Sequence, residues 1–245
     1  MKSLLRPPLK PIIFLICLWP LFSIGYTIYI DNLGANPIEY IEKHFGLWAL
    51  IFLCLTLSLT PLKEITHFGK LILYRRMLGL FVFFYASVHL LMYLGLDYQF
   101  AWFDIKDDIV KHKYVLVGFL AWLLLIPLAF TSSNKMIKRL KRRWKSLHQL
   151  IYVVAILAVL HFVWLVKKDM TEPIIYGSVL GGLLLIRVYF YYSKRNQSKT
   201  KWDKWTSNKS YSMASAVFAI KKYFTTSQSL PKENSSGSIS PFLKI

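Results

Sequence analysis

Acidic side chains are scarce in this chain of 245 residues: 12 Asp and Glu stand against 31 Lys and Arg, a formal charge of +19. The long apolar stretches carry almost none of them, which argues against a transporter that relays ions or protons between buried carboxylates. Cysteine is scarcer still. Cys17 and Cys54 both lie in apolar stretches, too few and too far apart for a disulfide framework, a zinc site or an iron–sulfur cluster, and they read as small core residues. A glycine-rich phosphate-binding pattern is missing too. The polar stretch after residue 196, roughly 50 residues, cannot hold a module for FAD and NAD(P)H, which argues against a self-contained nicotinamide-driven reductase. No small-residue cleavage site follows the first apolar run, so that run reads as a retained span rather than a signal peptide.

What the chain does have is hydrocarbon. Hydrophobic residues make up 55% of it and the mean hydropathy is +0.42, with the apolar residues gathered into six runs at about 11–30, 46–62, 77–96, 114–130, 145–166 and 174–192. The fold class that follows is an all-α integral membrane protein, a bundle of six transmembrane helices. Pro20 predicts a kink in the first span, and the second is short for ~30 Å of hydrocarbon, so it should stand close to upright. The segments 31–44 and 97–113 read as polar outer loops, the latter the most acidic part of the chain. The N-terminus, the second-to-third linker, the fourth-to-fifth linker and the tail are rich in Lys and Arg, and the other three loops are not. That alternation puts both termini in the cytoplasm and accounts for the positive charge without a nucleic-acid partner. The expected organisation is a membrane domain over 1–195 and a basic, mostly disordered cytoplasmic tail over 196–245, with a short amphipathic helix on the membrane near Ala216.

Histidine is the chemistry-bearing residue of the spans. An intramembrane imidazole is expensive and calls for a function. His89 lies ~18 Å into the third span and His161 ~22 Å into the fifth, both counted from the cytoplasmic side at ~1.5 Å per residue. Two imidazoles at similar depth on helices running the same way suit the two axial positions of a haem; the alternative is a pair of core histidines bonded to carbonyls. His148 begins the fifth span near water, beside Arg143 and Lys145, and on a straight helix it would sit ~20 Å from His161 on a different face. The matching position on the third span holds Arg75 or Arg76. Arginine cannot ligate iron, but its fork suits haem propionates or a flavin phosphate. His67 sits in a loop, and His44 and His112 read as solvated outer residues.

An ordered set of segments carries a family resemblance: LGANPIEYIEKHFGLWAL, LTPL, LYRRMLGLFVFFYASVHL, LAFTSS and KRRWKSLHQLIYVVAILAVLHFVW. Spread over residues 10–195, they resemble the MsrQ (YedZ) family, haem-binding membrane subunits of the periplasmic methionine sulfoxide reductase system in the ferric reductase-like transmembrane group. One departure is Lys43-His44-Phe45-Gly46, where that family usually reads His-x-Thr-Gly. The resemblance implies a b-type cytochrome of the bacterial inner membrane, with one or two haems and an FMN. It would pass electrons from the quinone pool or a cytoplasmic flavin reductase to a periplasmic molybdopterin-containing methionine sulfoxide reductase, which repairs oxidised envelope proteins. Carried over by position, His89 and His161 would be the outer haem ligands. His148 would serve a second haem or a neighbouring cofactor, and Arg75 and Arg76 match the basic pair before the third span. A ferric reductase-like enzyme acting directly on a metal or quinone remains the alternative, and a histidine-relay transporter a more distant one.

Overall fold

The computed structural model describes residues 9–166 and 170–228. The basic residues 1–8, residues 167–169 of the last outer turn and the end of the tail, 229–245, lie outside the described residues. Among the described residues all regular structure is helical, and six stretches are long and apolar enough to cross a membrane: Lys10–Tyr29, Pro37–Thr66, Arg75–Asp97, Lys113–Phe130, Arg142–Leu165 and Thr171–Gln197.

The first span is two helices, α1 (Lys10–Cys17) and α2 (Trp19–Tyr29), broken at Leu18 where the sequence predicts a kink. Pro20 cannot donate, and the Leu21 N–H bonds Leu18 O instead of Cys17 O. The carbonyl of Cys17 is taken by the fully buried Tyr85, whose hydroxyl donates to it at 2.7 Å. A second carbonyl near the break, that of Pro20, accepts Nε2 of His44 at 3.0 Å. His44 is therefore a half-buried tie between the first two spans, not the solvated loop residue expected from its place in the sequence.

The second span, α3 (Pro37–Thr66), is also longer than its apolar run. Asn36 caps it, accepting from the Glu39 N–H at 3.4 Å and donating to the Glu39 carboxylate at 2.9 Å, with Pro37 at the first helical position. Hydropathy placed a polar loop there because Glu39, Glu42 and Lys43 raise the polarity of a turn that Asn-Pro-x-Glu starts as helix. At 30 residues the helix is about 45 Å long, so the expected shortness does not apply. A 3₁₀ turn (Gly69–Leu73) leads to the third span, α4 (Arg75–Met92), which closes in a π turn at Tyr93–Asp97. The outer segment after it is partly helical, α5 (Trp102–Lys111), where the acidic composition read as loop. The fourth span is α6 (Lys113–Phe130). Short helices α7 (Asn134–Leu140) and α8 (Arg142–Leu147) lead to α9 (Leu150–Leu165) in the fifth. The last helix, α10, runs Thr171–Gln228.

Two helix pairs make the core, α3 against α4 and α6 against α9, and they meet where α4 packs on α6. The α3–α4 seam is aromatic. Phe52 stacks on Tyr85 at 5.2 Å and 6°, with Phe45 and Phe81 on either side of the same stack. The sixth span is tied to its neighbours by Glu172 in its first turn, paired with Lys43 at 3.5 Å, and by Arg187 further along. Pro61 inside α3 has no N–H to give the carbonyl of Leu57, four residues back. Arg187 fills the gap, donating from Nη2 and Nε to Leu57 O at 2.7 and 3.2 Å, from Nη2 to Thr60 Oγ1 and from Nη1 to the Tyr152 hydroxyl. An arginine that looks costly in an apolar helix thus closes a defect in its neighbour.

The chain divides into two compact units, residues 1–189 and 190–245. Helix runs through residues 196–228, where the polar composition reads as mostly disordered. The reason lies in apolar residues spaced at the helical period among the lysines, which composition alone averages away.

Arg187→Met is expected to destabilise the fold by about 2 kcal/mol by leaving the Leu57 carbonyl without a donor. Pro61→Ala returns an N–H to that carbonyl and should shrink the loss in a thermal or denaturant melt. Equal losses in both backgrounds would show that Arg187 holds something else.

Candidate functional site

His89 from α4 and His161 from α9 face each other, with ring centres 6.4 Å apart and planes at 75°. Each is oriented from behind by a carbonyl of the helix it packs against. His89 Nδ1 donates to Glu42 O at 2.9 Å, and His161 Nδ1 donates to Tyr114 O at 2.7 Å. The two histidines expected at matched depth are therefore brought together, and the alternative of carbonyl-bonded core histidines describes only half of each ring. With Nδ1 carrying the proton, Nε2 holds the lone pair, and Nε2 of neither ring has a hydrogen-bond partner among the described residues. This is the arrangement of metal-binding imidazoles, whose second nitrogen is tied to a carbonyl or carboxylate. Bonds of about 2 Å from opposed Nε2 atoms to one metal put ring centres about 6 Å apart. The observed 6.4 Å fits.

The close approach depends on two glycines that the histidine count gives no reason to look for. A Cβ on Gly46 would stand 3.2 Å from His89 Cε1, and one on Gly118 would stand 2.7 Å from His161 Nδ1. Each glycine lies one turn after the carbonyl its histidine uses, and in both pairs histidine and carbonyl are 47 residues apart. Glu42, Gly46 and His89 recur 72 residues on as Tyr114, Gly118 and His161. The site is one device built twice, and the equal glycine-to-histidine spacing is the signal by which the sequence could have shown it.

Both rings line a cavity of about 1180 Å³ among α3, α4, α6 and α9. Below the histidines its wall is mostly aliphatic, with Leu50, Leu53, Val82, Leu125 and Val154, and includes Trp122, whose indole N–H donates to Ser87 Oγ at 3.0 Å; at the other end the cavity reaches surface residues including Glu39, Lys43, Lys106 and His112. Helix α5 forms part of that outer rim through Trp102, Ile105 and Lys106. It is anchored by Asp108, which accepts from the Tyr93 hydroxyl at 2.6 Å and from His112 Nδ1 at 2.7 Å. The turn into α5 places Gln99 and Phe100 at φ of 44° and 60°, two successive left-handed residues that are not glycine. Burial opposes ionisation of Asp108, but the hydrogen bonds from Tyr93, Tyr98 and His112 outweigh it and hold the carboxyl below its ordinary value. Burial and the same carboxylate push the Tyr98 phenol up to about 12.

The remaining sequence candidates lie apart from this cavity, whose lining includes none of His148, Arg75 and Arg76. His148 falls in the turn between α8 and α9, so straight-helix geometry does not relate it to His161. Its ring stacks on Trp144 at 4.0 Å, Nδ1 donates to Trp144 O at 3.1 Å, and Nε2 is buried without a partner rather than open to water. Arg76 is exposed and donates to Asn134 Oδ1 at 2.6 Å, although the 72-residue repeat makes it the counterpart of His148. Arg75 is partly buried and lies within electrostatic reach of His148, Tyr152 and Arg187. His67 is the left-handed C-cap of α3.

The family model for the ferric reductase like transmembrane component matches residues 45–159. A protein-methionine-sulfoxide reductase heme-binding subunit MsrQ of Xanthomonas campestris pv. campestris (strain B100) is 55% identical over 159 residues, 65% of this chain and 73% of that protein. The protein of the same name from Herminiimonas arsenicoxydans is 45% identical over 193 residues, 78% of this chain and 88% of its own length. No solved structure matches the chain.

Because Asp108 titrates lower in the native state than in the unfolded chain, its contribution is present above the ordinary carboxylate range and is lost as pH falls through its native value. Hydrogen-exchange protection of residues 98–111 should drop on acidification before that of α4 and α6. Asp108→Asn should show the lower protection already at neutral pH, with the acid step gone.

Proposed function

Since the chain belongs to the MsrQ family of heme-binding subunits of protein-methionine-sulfoxide reductase, within the ferric reductase-like transmembrane group, we propose that it is a membrane b-type cytochrome. In this reading it carries electrons to a periplasmic molybdopterin-containing methionine sulfoxide reductase, from the quinone pool or a cytoplasmic flavin reductase. The observation that carries the reading is the opposed pair, His89 and His161, each with Nδ1 tied back and Nε2 free on a shared cavity. When bound, haem supplies a one-electron iron couple.

The residues do the rest. His89 and His161 are the residues that would hold the haem iron, each through its free Nε2, and with two imidazoles so employed the site would suit electron transfer rather than chemistry on a bound molecule. The carbonyls of Glu42 and Tyr114 fix the tautomer and raise the basicity of the ligating nitrogens. The aliphatic inner wall excludes water and disfavours charge, whereas Lys43 and Lys106 at the outer rim are the cations that propionates would meet. Charged groups of a bound haem would be neutralised by those residues at the outer face. With both termini cytoplasmic, this is the periplasmic side of the inner membrane, where the reductase would receive electrons.

A second cofactor is carried by the resemblance and by one orphaned atom. The buried Nε2 of His148 has no partner, and Arg75 beside it offers a guanidinium to an anionic group. A second haem or the phosphate of an FMN would draw on these two residues; Arg76, turned to Asn134, would contribute from the rim. Direct reduction of a metal or quinone is the second reading, since the acidic and basic residues of the outer rim could admit either.

The purified protein should be red and give a sharp low-spin b-type spectrum on dithionite reduction; a colourless preparation from haem-replete cells would refute the cytochrome. His89→Ala and His161→Ala should each abolish the signal of the pair, and His148→Ala should remove only a fraction of the total haem. Gly118→Ala should cost more of the signal than Gly46→Ala, because its Cβ meets the imidazole half an ångström closer. The reverse order would sink the glycine argument. Electron delivery separates the two readings: a co-purifying molybdopterin reductase reduced through the haem supports the first, and haem oxidation by ferric chelates or quinone alone supports the second.

A further inference from the structure

Beyond the sixth span, the second unit carries a pattern that electron transfer does not use. Trp202, Trp205, Lys209 and Met213 are spaced by three and four residues along α10, which puts them on one side of the helix. The two indoles meet edge to face at 5.6 Å and 79°, and Lys209 Nζ stands 4.8 Å over the ring of Trp205. This apolar strip is left uncovered: Trp202 is 64%, Trp205 53% and Met213 63% exposed. The sequence continues the strip at the same spacing with Ala216, Val217, Ile220 and Phe224. From residue 194 to 222 there are eight Lys and Arg and a single acid, Asp203. The family model ends at residue 159, well before this helix.

We propose that residues 199–224 form an amphipathic anchor that binds an anionic lipid surface on the cytoplasmic side of the membrane. Three observations select that occupant. The strip holds two tryptophans, the residue type that settles at headgroup depth with its ring in hydrocarbon and its N–H in the polar layer. Its lysines have stems long enough to lie along the strip while their ammonium groups reach phosphate. The eight cations against one acid would set two copies of this helix against each other, whereas negative headgroups attract them. The surface is also at hand, because the segment follows the sixth span directly in the chain. The anchor is independent of the haem and would hold whatever the electron acceptor proves to be.

The test uses the full-length protein in proteoliposomes. With Cys17→Ala and Cys54→Ala as background, a nitroxide is attached at Met213→Cys, on the strip, or at Ser207→Cys, on the opposite side by the helical period. Each labelled protein is first required to be monodisperse in detergent. In phosphatidylcholine containing phosphatidylglycerol, the label at 213 should collide with oxygen several-fold more than with an aqueous nickel chelate, and the label at 207 should show the reverse. The contrast should fall in phosphatidylcholine alone, and also when Lys199, Lys201 and Lys204 are changed to Gln. Both labels remaining equally open to the chelate in the anionic vesicles would overturn the proposal. So would line broadening at 213 that disappears on dilution with unlabelled protein, because the strip would then be covered by a second copy.

Discussion

The paired-histidine site depends on two points where a glycine lets a side chain of one helix reach the backbone of its neighbour. At Gly46 and Gly118 there is no Cβ, and the space goes to an imidazole that reaches the carbonyl one turn back. Backbone carbonyls inside a helix are already engaged, so each accepts the imidazole N–H with its second lone pair. Removing the side chain at one position therefore fixes ring orientation, tautomer and the separation of the pair together. The cavity's histidine wall follows from the same contact, because each imidazole is held back against its own neighbouring helix with the rings 6.4 Å apart.

Carbonyls organise the rest of the membrane domain as well. Pro20 and Pro61 each disturb a helix, and each disturbance is answered from another span, by Tyr85 at Cys17 and by Arg187 at Leu57; His44 adds a further bond at the carbonyl of Pro20, which Ser23 Oγ also reaches. In hydrocarbon water cannot satisfy a freed carbonyl, so a proline in one helix creates a demand for a donor in the next. Tyr85, His44 and Arg187 join the first span to the second and third, and the sixth to the second and fifth. The cost of breaking helices is thereby turned into contacts that fix which helix lies beside which.

Much of this was legible in the sequence, and the misses have physical causes. The six spans, the kink near Pro20 and the shared level of His89 and His161 follow from hydropathy and a fixed rise per residue. The early start of α3 was hidden because hydropathy weighs Glu39 and Glu42 as loop, while Asn36 and Pro37 act through capping geometry. His148 looked open to water because its chain neighbours are basic, yet what covers its Nε2 is Trp144 and the surrounding fold. Arg187 stood in plain view in an apolar run, but the partner that explains it lies 130 residues away. The glycine–carbonyl device was visible only as a repeated interval, which carries no meaning until the helices are paired.

The aliphatic wall beneath the histidines has a consequence for energetics. Leu50, Leu53, Val82, Leu125 and Val154 offer no side-chain donor or acceptor through which a hydrogen-bonded chain could run, and the indole N–H of Trp122 in the same wall is engaged by Ser87 Oγ. An electron can tunnel through such a layer, but a proton cannot cross it without a relay. In the proposed direction of transfer, each electron would then move outward through the low-dielectric layer unaccompanied, and the step would be electrogenic. It would run with a membrane potential that is negative inside, gaining up to about 2.3 kcal/mol per 100 mV for a full crossing. The repair of oxidised proteins outside the cell would thereby be tied to the energised state of the membrane.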